Sequence, residues 1–242
     1  MNFGIKQKIR RFVANQVAFQ LAEDMPDVLP KALVPKVRLG LGIPAPLGHA
    51  LPESVVCNDI DRYVHRFLQH SASSCFGRER TLDIGCGEIP RNLFESSNAY
   101  GCDIRGSEDG SVLGVDLFNE PIPFPDQFFD YVTAYDFIEH VPRVLVSPTG
   151  KTRFPFIDLM NEIYRVLKPG GLFFSKTPAF PSKEVFQDPT HVNIITEDTF
   201  PMYFCSDAQN GLHAKIYGFN GSFTLVSQEW CHCCLLSLLK KE

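Results

Sequence analysis

The chain has 242 residues, 44% of them hydrophobic and 21% charged, with a formal net charge of −5. That length suits one globular domain with a sizeable core and an appendage, and the acidic balance leaves no basic excess for gripping a nucleic-acid backbone. No run of roughly 18 apolar residues is present to span a membrane, the N-terminus lacks a secretory h-region, and the eight cysteines read as free thiols in a reducing, cytoplasmic setting.

In chain order, Ile5, Ile9, Phe12, Val13, Val17 and Leu21 recur at helical spacing among Lys6, Lys8, Arg10 and Arg11. This predicts an amphipathic helix over 3–22. It packs on the main domain or joins a homo-oligomer; a membrane surface or another partner is the competing use. Residues 26–52 carry Pro26, Pro30, Pro35, Pro44, Pro46 and Pro52 with three glycines, so a linker or extended arm is expected there. The chain therefore divides into an appendage over 1–55 and a main domain over 56–242. Asn58 or Asp59 can cap a helix bearing Ile60, Tyr63, Val64, Phe67 and Leu68.

Arg80-Thr-Leu-Asp-Ile-Gly-Cys-Gly-Glu-Ile-Pro90 reads as a buried strand running into a glycine turn. Glycine is wanted where φ is positive or a ligand comes close. A strand, a glycine turn and a helix form the layout of a nucleotide-type pocket, although an ordinary tight turn has the same local pattern. Further strands are expected over 99–105, 111–117, 128–135 and 172–175. A helix is expected over 156–167, closed by Lys168-Pro-Gly-Gly171, and two paired strands over 222–230 and 232–239. Strands alternating with helices predict an α/β doubly wound, mostly parallel sheet with an antiparallel C-terminal strand.

Four acids fall at successive strand ends: Asp83, Asp103, Asp116 and Asp136. In such sheets ligands lie outside the carboxyl ends of the strands, and an acid about 20 residues after the glycine turn can hold ribose hydroxyls. A dinucleotide wants a third glycine for its pyrophosphate. Pro90 stands there instead, with Glu88 beside it. Negative charge at Asp83 and Glu88 suits a ligand bearing an ammonium or sulfonium cation, as S-adenosylmethionine does.

Leu-Asp-Ile-Gly-Cys-Gly (82–87), Tyr-Gly-Cys-Asp (100–103), Val-Asp-Leu (115–117), Pro-Phe-Pro-Asp-Gln-Phe-Phe-Asp-Tyr-Val (123–132), Phe-Ile-Glu-His-Val (137–141) and Arg-Val-Leu-Lys-Pro-Gly-Gly (165–171) follow one another in family order. In them the sequence resembles the class I S-adenosylmethionine-dependent methyltransferases, the small-molecule and sugar group in particular. The family pattern often has a further glycine where Ile89 stands. The resemblance implies a Rossmann-like, seven-stranded fold and S-adenosylmethionine as cofactor. It places Asp83, Gly85 and Gly87 at the methionine end, Asp103 at the ribose, Asp116 and Leu117 around the adenine, and Asp136 and Phe137 beside the methyl group.

Methyl transfer to a hydroxyl needs a positioned nucleophile and a proton acceptor, and histidine suits the second task. His140, just past the fourth strand, and His191, in Gln187-Asp-Pro-Thr-His-Val-Asn193, are the candidates. Asp188 would orient His191. Structural hydrogen bonding is the plainer role for each histidine. The reading carries no metal; the alternative is a divalent ion on Asp136, Glu139 and His140, at i, i+3, i+4 on one helical face, with Asp188 and His191 adding ligands. Cys231-His-Cys-Cys234 is too tightly spaced for a structural zinc site. Phe180 and Phe186 in the loop after the fifth strand, and Lys151 and Arg153 in the 143–156 insertion, are expected as substrate walls. A small-molecule methyl acceptor is expected, first a sugar or polysaccharide precursor. A quinone, lipid or protein acceptor, or a non-catalytic S-adenosylmethionine-binding protein, are the rivals. A sugar asks for polar walls and a quinone for a large apolar mouth.

Overall fold

The computed structural model describes Tyr63 and residues 78–147, 149–206 and 211–242. The helix expected over 3–22, the proline-rich arm and the boundary at 55/56 lie outside the described residues. Tyr63 itself is helical and buried.

The apolar strand segments form the centre of the sheet. They are β1 (Arg80–Ile84), β2 (Asn98–Asp103), β3 (Val112–Gly114) and β4 (Phe129–Tyr135). Leu82, Asp83 and Ile84 are fully buried, as befits a strand covered on both faces. The insertion that follows folds into a small antiparallel pair, β5 (Leu145–Val146) and β6 (Thr152–Arg153). Helix α1 (Pro155–Val166) has proline in its first turn, where the missing amide costs nothing. It buries Phe156, Leu159, Met160, Ile163 and Val166. β7 (Leu167–Pro178), α2 (Glu184–Gln187), α3 (Thr199–Phe204), β8 (Phe223–Cys231) and β9 (Cys234–Lys241) complete the chain. No described helix is long and apolar enough to cross a membrane.

The sheet has seven strands in the order β3-β2-β1-β4-β7-β9-β8. β1, β2, β3, β4 and β7 run parallel; β9 is antiparallel to both of its neighbours, β7 and β8, so β8 runs in the direction of the parallel set. Strand order runs outward in both directions from β1 and β4. That reversal opens a crevice at their carboxyl ends, so the glycine turn and Asp136 face each other across it.

Two local expectations differ from the structure. Lys168-Pro-Gly-Gly171 does not cap α1: the helix ends into extended Leu167, which already pairs with Phe129. The sheet register recruits the segment, and Gly170 takes positive φ within the long strand. The last strand does not begin at 232 either: β8 runs on to Cys231 and β9 starts at Cys234. The turn between them has His232 in the left-handed region.

Arg165 ties α1 to the Ile122–Asp126 loop. Its guanidinium donates to the carbonyls of Ile122 (2.8 Å) and Phe124 (2.7 Å), to Asp126 Oδ1 (2.9 Å) and to both Glu162 oxygens. Replacing Arg165 with Met leaves two carbonyls and a partly buried carboxylate without their donor. It should lower stability by about 2 kcal/mol in urea unfolding at unchanged m. Arg165→Lys should recover only part of this, because an ammonium cannot reproduce the planar fork.

Candidate active site

β1 leaves the core at Ile84, and the chain turns at Gly85 and Gly87, with φ of 65° and 68°. The two glycines do different jobs. A Cβ on Gly85 would lie 2.2 Å from the Phe137 ring, whereas one on Gly87 would meet nothing within 4 Å. Gly85 thus admits an aromatic side chain from the end of β4, and Gly87 leaves bare backbone against open space. Pro90 packs where a Cβ on Gly101 would stand 2.6 Å away, so the post-turn loop lies directly on β2.

Asp103, at the end of β2, accepts from the Gly87 amide at 2.9 Å and from the Arg105 amide at 3.1 Å. This brings the acid of one strand to the turn of the next. Asp116 lies two residues beyond β3. Its oxygens accept from the Phe118 amide and the Asn119 side chain, closing the 116–120 loop. Leu117 turns into the core. Phe118, which the sequence reading passed over, places its ring 6.0 Å from that of Phe137, nearly parallel.

Asp83 is wholly buried. It pairs in register with Thr133 of β4, whose hydroxyl donates to Oδ1 at 2.8 Å, and the Arg91 amide donates to Oδ2 at 2.8 Å. Burial pushes its carboxyl up from 3.8 to about 6, against the pull of Arg91 and Thr133. The Arg91 guanidinium stands 3.8 Å from Oδ2 and over the Tyr135 ring. Glu88 is exposed. The negative charge expected at the turn is thus split between a sequestered carboxylate and a solvated one.

Asp136 has positive φ (47°), and its carboxylate is held by Lys176 Nζ at 2.6 and 2.8 Å. The helical face expected for Asp136, Glu139 and His140 does not form, because the 3-10 turn covers only Ile138–His140. Asp136 turns to the end of β7 instead. Glu139 is 1% exposed. Oε2 accepts from Thr177 at 2.7 Å, and Oε1 is buried without a hydrogen-bond partner among the described residues. Burial raises its pKa despite the Thr177 bond.

His140 and His191 come together, with ring centroids 4.8 Å apart and edge to face. The backbone makes this meeting: the Val192 and Asn193 amides both donate to the Glu139 carbonyl at 2.9 Å, and Asn193 Nδ2 donates to the Ile138 carbonyl. Nδ1 of His191 faces the carbonyls of Glu184 and Val185 at 3.2 Å, so it carries the proton. Thr190 donates its hydroxyl hydrogen to Asp188 Oδ1 at 2.6 Å and therefore accepts from His140 Nδ1 at 2.9 Å. The hydrogen bonds of both rings run through Nδ1. Asp188 is exposed and lies 4.0 Å from His191 Nε2. Its role falls on Thr190 and through it on His140, and the Thr190 donors hold its carboxyl below the usual range. Arg153 pairs with Asp158 at 3.0 Å, and Phe180 and Phe186 are exposed.

These features fit an adenosyl-amino-acid cofactor: bare backbone at Gly87, the Asp103 carboxylate 2.9 Å from its amide, and two aromatic rings alongside. Thr133, Thr177, Thr190 and Asn193 complete the site and carry no motif signal. Thr133 was reachable in principle, because parallel pairing of β1 with β4 sets it beside Asp83.

A family model described as a methyltransferase domain matches residues 56–204. The ubiquinone/menaquinone biosynthesis C-methyltransferase of Vibrio vulnificus (strain YJ016) is 28% identical over 149 residues, 51% of this chain and 53% of that protein. The sterol 24-C-methyltransferase of Pneumocystis carinii (strain B80) is 27% identical over 137 residues, 48% of this chain and 32% of that protein. The chain thus spans about half the length of the first and a third of the second. A solved S-adenosylmethionine-dependent methyltransferase of Aquifex aeolicus aligns with a TM-score of 0.45 and 15% identity, over 76% of this chain and 91% of that one.

Gly85→Ala should cost at least about 2–3 kcal/mol, from positive φ and the clash with Phe137 together. Gly87→Ala should cost about 1 kcal/mol yet weaken S-adenosylmethionine binding about tenfold, because its methyl enters the open space; thermal melts and calorimetry separate the two. Asp83 holds its proton more tightly folded than unfolded, so stability should fall as pH rises from about 4 to about 6 and then level off. Asp83→Asn should flatten that slope in urea titrations across this range.

Proposed function

We propose that this chain, which belongs to the methyltransferase family whose domain spans residues 56–204, moves a methyl group from S-adenosylmethionine to a hydroxyl of a small acceptor with an apolar body. One observation carries the reading. The Asp136–His140 segment meets the glycine turn through Phe137, beside the Gly87–Asp103 bond, and ends at two imidazoles 4.8 Å apart. Bound S-adenosylmethionine would supply an electrophilic methyl on a sulfonium, itself a good leaving group.

The rest falls to this chain's residues. The Gly85–Gly87 backbone admits the cofactor closely, and Arg91 above Asp83 takes its carboxylate. Asp103 keeps lone pairs, beyond those given to two amides, for ribose hydroxyls. The Asp116–Phe118 loop flanks the adenine, and Phe137 and Asp136 wall the methyl end. His191 or His140 takes the acceptor's proton at Nε2, each held in the needed tautomer by its Nδ1 partner.

The acceptor body would lie in a cleft of about 560 Å³ that begins at Asn193, two residues past His191. Phe154, Phe156, Tyr203 and Tyr217 wall it, with Arg143 at its side. Arg143 donates to Asn193 Oδ1 at 2.8 Å and to the Ile194 carbonyl. Aromatic walls favour a ring-bearing apolar acceptor such as a quinol or sterol-like alcohol; the relatives named for quinone biosynthesis and for sterol methylation support the apolar ring body, while both are named for methyl transfer to carbon rather than to a hydroxyl. A sugar acceptor is the second reading, favoured by the exposed faces of Phe180 and Phe186 on the adjoining loop.

Labelled methyl transfer should be assayed across quinols, sterols and nucleotide sugars. His191→Gln and His140→Gln should each lower turnover, by roughly 10²-fold for the residue that takes the proton, with S-adenosylmethionine affinity unchanged in calorimetry. Full turnover in both variants would sink the assignment of the base. Binding of NAD in place of S-adenosylmethionine would sink the reading as a whole.

A further inference from the structure

Glu139, His140 and His191 each offer one donor atom, and the three atoms lie within 4.8 Å of one another. Hydrogen bonding leaves this group incomplete. Glu139 Oε1 is buried and without a partner among the described residues. A carboxylate oxygen shut away from water with nothing to bond is costly. Of the charges nearest in effect, Asp136 is of like sign and opposes ionisation of Glu139, while His140 favours it without bonding to Oε1.

We propose that Glu139 Oε1, His140 Nε2 and His191 Nε2 bind a divalent transition-metal ion, with its remaining positions open to an oxygen of the acceptor. The surrounding contacts are those of a built site. A metal-binding imidazole commonly gives its other N–H to a carbonyl or carboxylate, which fixes the ring. His191 Nδ1 does so to two carbonyls, and His140 Nδ1 does so through Thr190 to Asp188. The second Glu139 oxygen is fixed by Thr177. Bonds of roughly 2.0–2.2 Å bring donors on one ion to about 3–4 Å apart, a small closure for half-buried rings. Asp136 is outside the set, being taken by Lys176.

Two imidazoles and one carboxylate favour zinc, cobalt, manganese or iron over magnesium or calcium, which prefer all-oxygen shells. Three protein ligands leave an open position. A hydroxyl bound there loses its proton to solvent more readily because the ion stabilises the oxyanion. The inference rests on the proposed function for the acceptor and replaces one step of it: with both Nε2 atoms on the ion, the histidines hold the metal and the acceptor's proton leaves to solvent instead of to an imidazole. The ion's binding does not depend on the acceptor.

The test is a titration of chelator-treated protein with Co²⁺, followed by visible d–d absorption and equilibrium dialysis, without cofactor or acceptor. One Co²⁺ per chain is expected, displaced by Zn²⁺ and not by equimolar Mg²⁺. Affinity should fall by about 10–100-fold in Thr190→Val and binding should vanish in His140→Gln, whose half-exposed site keeps the fold intact by circular dichroism. Absence of stoichiometric Co²⁺ in the native chain, or full retention in His140→Gln, overturns the proposal. Calorimetry with S-adenosylmethionine on the same preparation keeps the two readings apart. Cofactor binding without Co²⁺ binding refutes the metal site alone, and Co²⁺ binding without cofactor binding refutes the methyltransferase reading alone.

Discussion

Asp83 lies at the junction of β1 and β4 with no exposure, and its two oxygens are engaged by different parts of the chain. Thr133 holds Oδ1 from the neighbouring strand, and the Arg91 amide holds Oδ2 from the loop beyond the glycine turn. The loop cannot leave the sheet without stripping a buried carboxyl of a donor, a loss on the order of 1–3 kcal/mol. Pro90 lies on Gly101 because of this anchorage, and Gly87 is thereby carried to Asp103. The crevice that topology opens at the strand ends gets its fixed rim from one acid that solvent does not reach.

Much of the geometry around the glycine turn was legible because its signals are local. Gly85 and Gly87 announce backbone that other residues resist, and alternation of strands and helices places Asp103 and Asp136 at the same edge. Where local reading fell short, the register decided. Leu167 pairs with Phe129, so the Lys168-Pro-Gly-Gly171 segment enters a strand rather than ending a helix. Leu117 and Phe118 are neighbours of similar character, and only the packed structure sends the first into the core and brings the second to Phe137. Asp136 escaped its expected helical face because left-handed backbone and the Lys176 ammonium redirect it.

The histidine-bearing side was less legible because it depends on contacts 50 residues apart. His140 and His191 could be named from the sequence, but not their tautomers, which are set by Glu184 and Val185 carbonyls and by Thr190. The backbone bonds from Val192 and Asn193 to Glu139 supply no sequence pattern at all, although they hold the rings 4.8 Å apart. Asn193 does double duty: its side-chain Nδ2 donates to the 3-10 turn, and its side-chain Oδ1 accepts from Arg143 at the aromatic cleft.

Phe137 fills the space that a side chain at Gly85 would need, and two residues later Glu139 is the anchor for the histidine-bearing loop. A single short segment after β4 is therefore shared by both sides. Phe137 touches the glycine turn and Glu139 holds the His191 loop, so any coupling between the two sides would pass through this segment and be equal in both directions, as reciprocity demands. A change of substrate preference made by altering this segment, or Asn193 that clasps it, would accordingly carry a change in cofactor affinity with it, whereas changes to cleft walls that do not touch the segment, such as Tyr203 and Tyr217, would not.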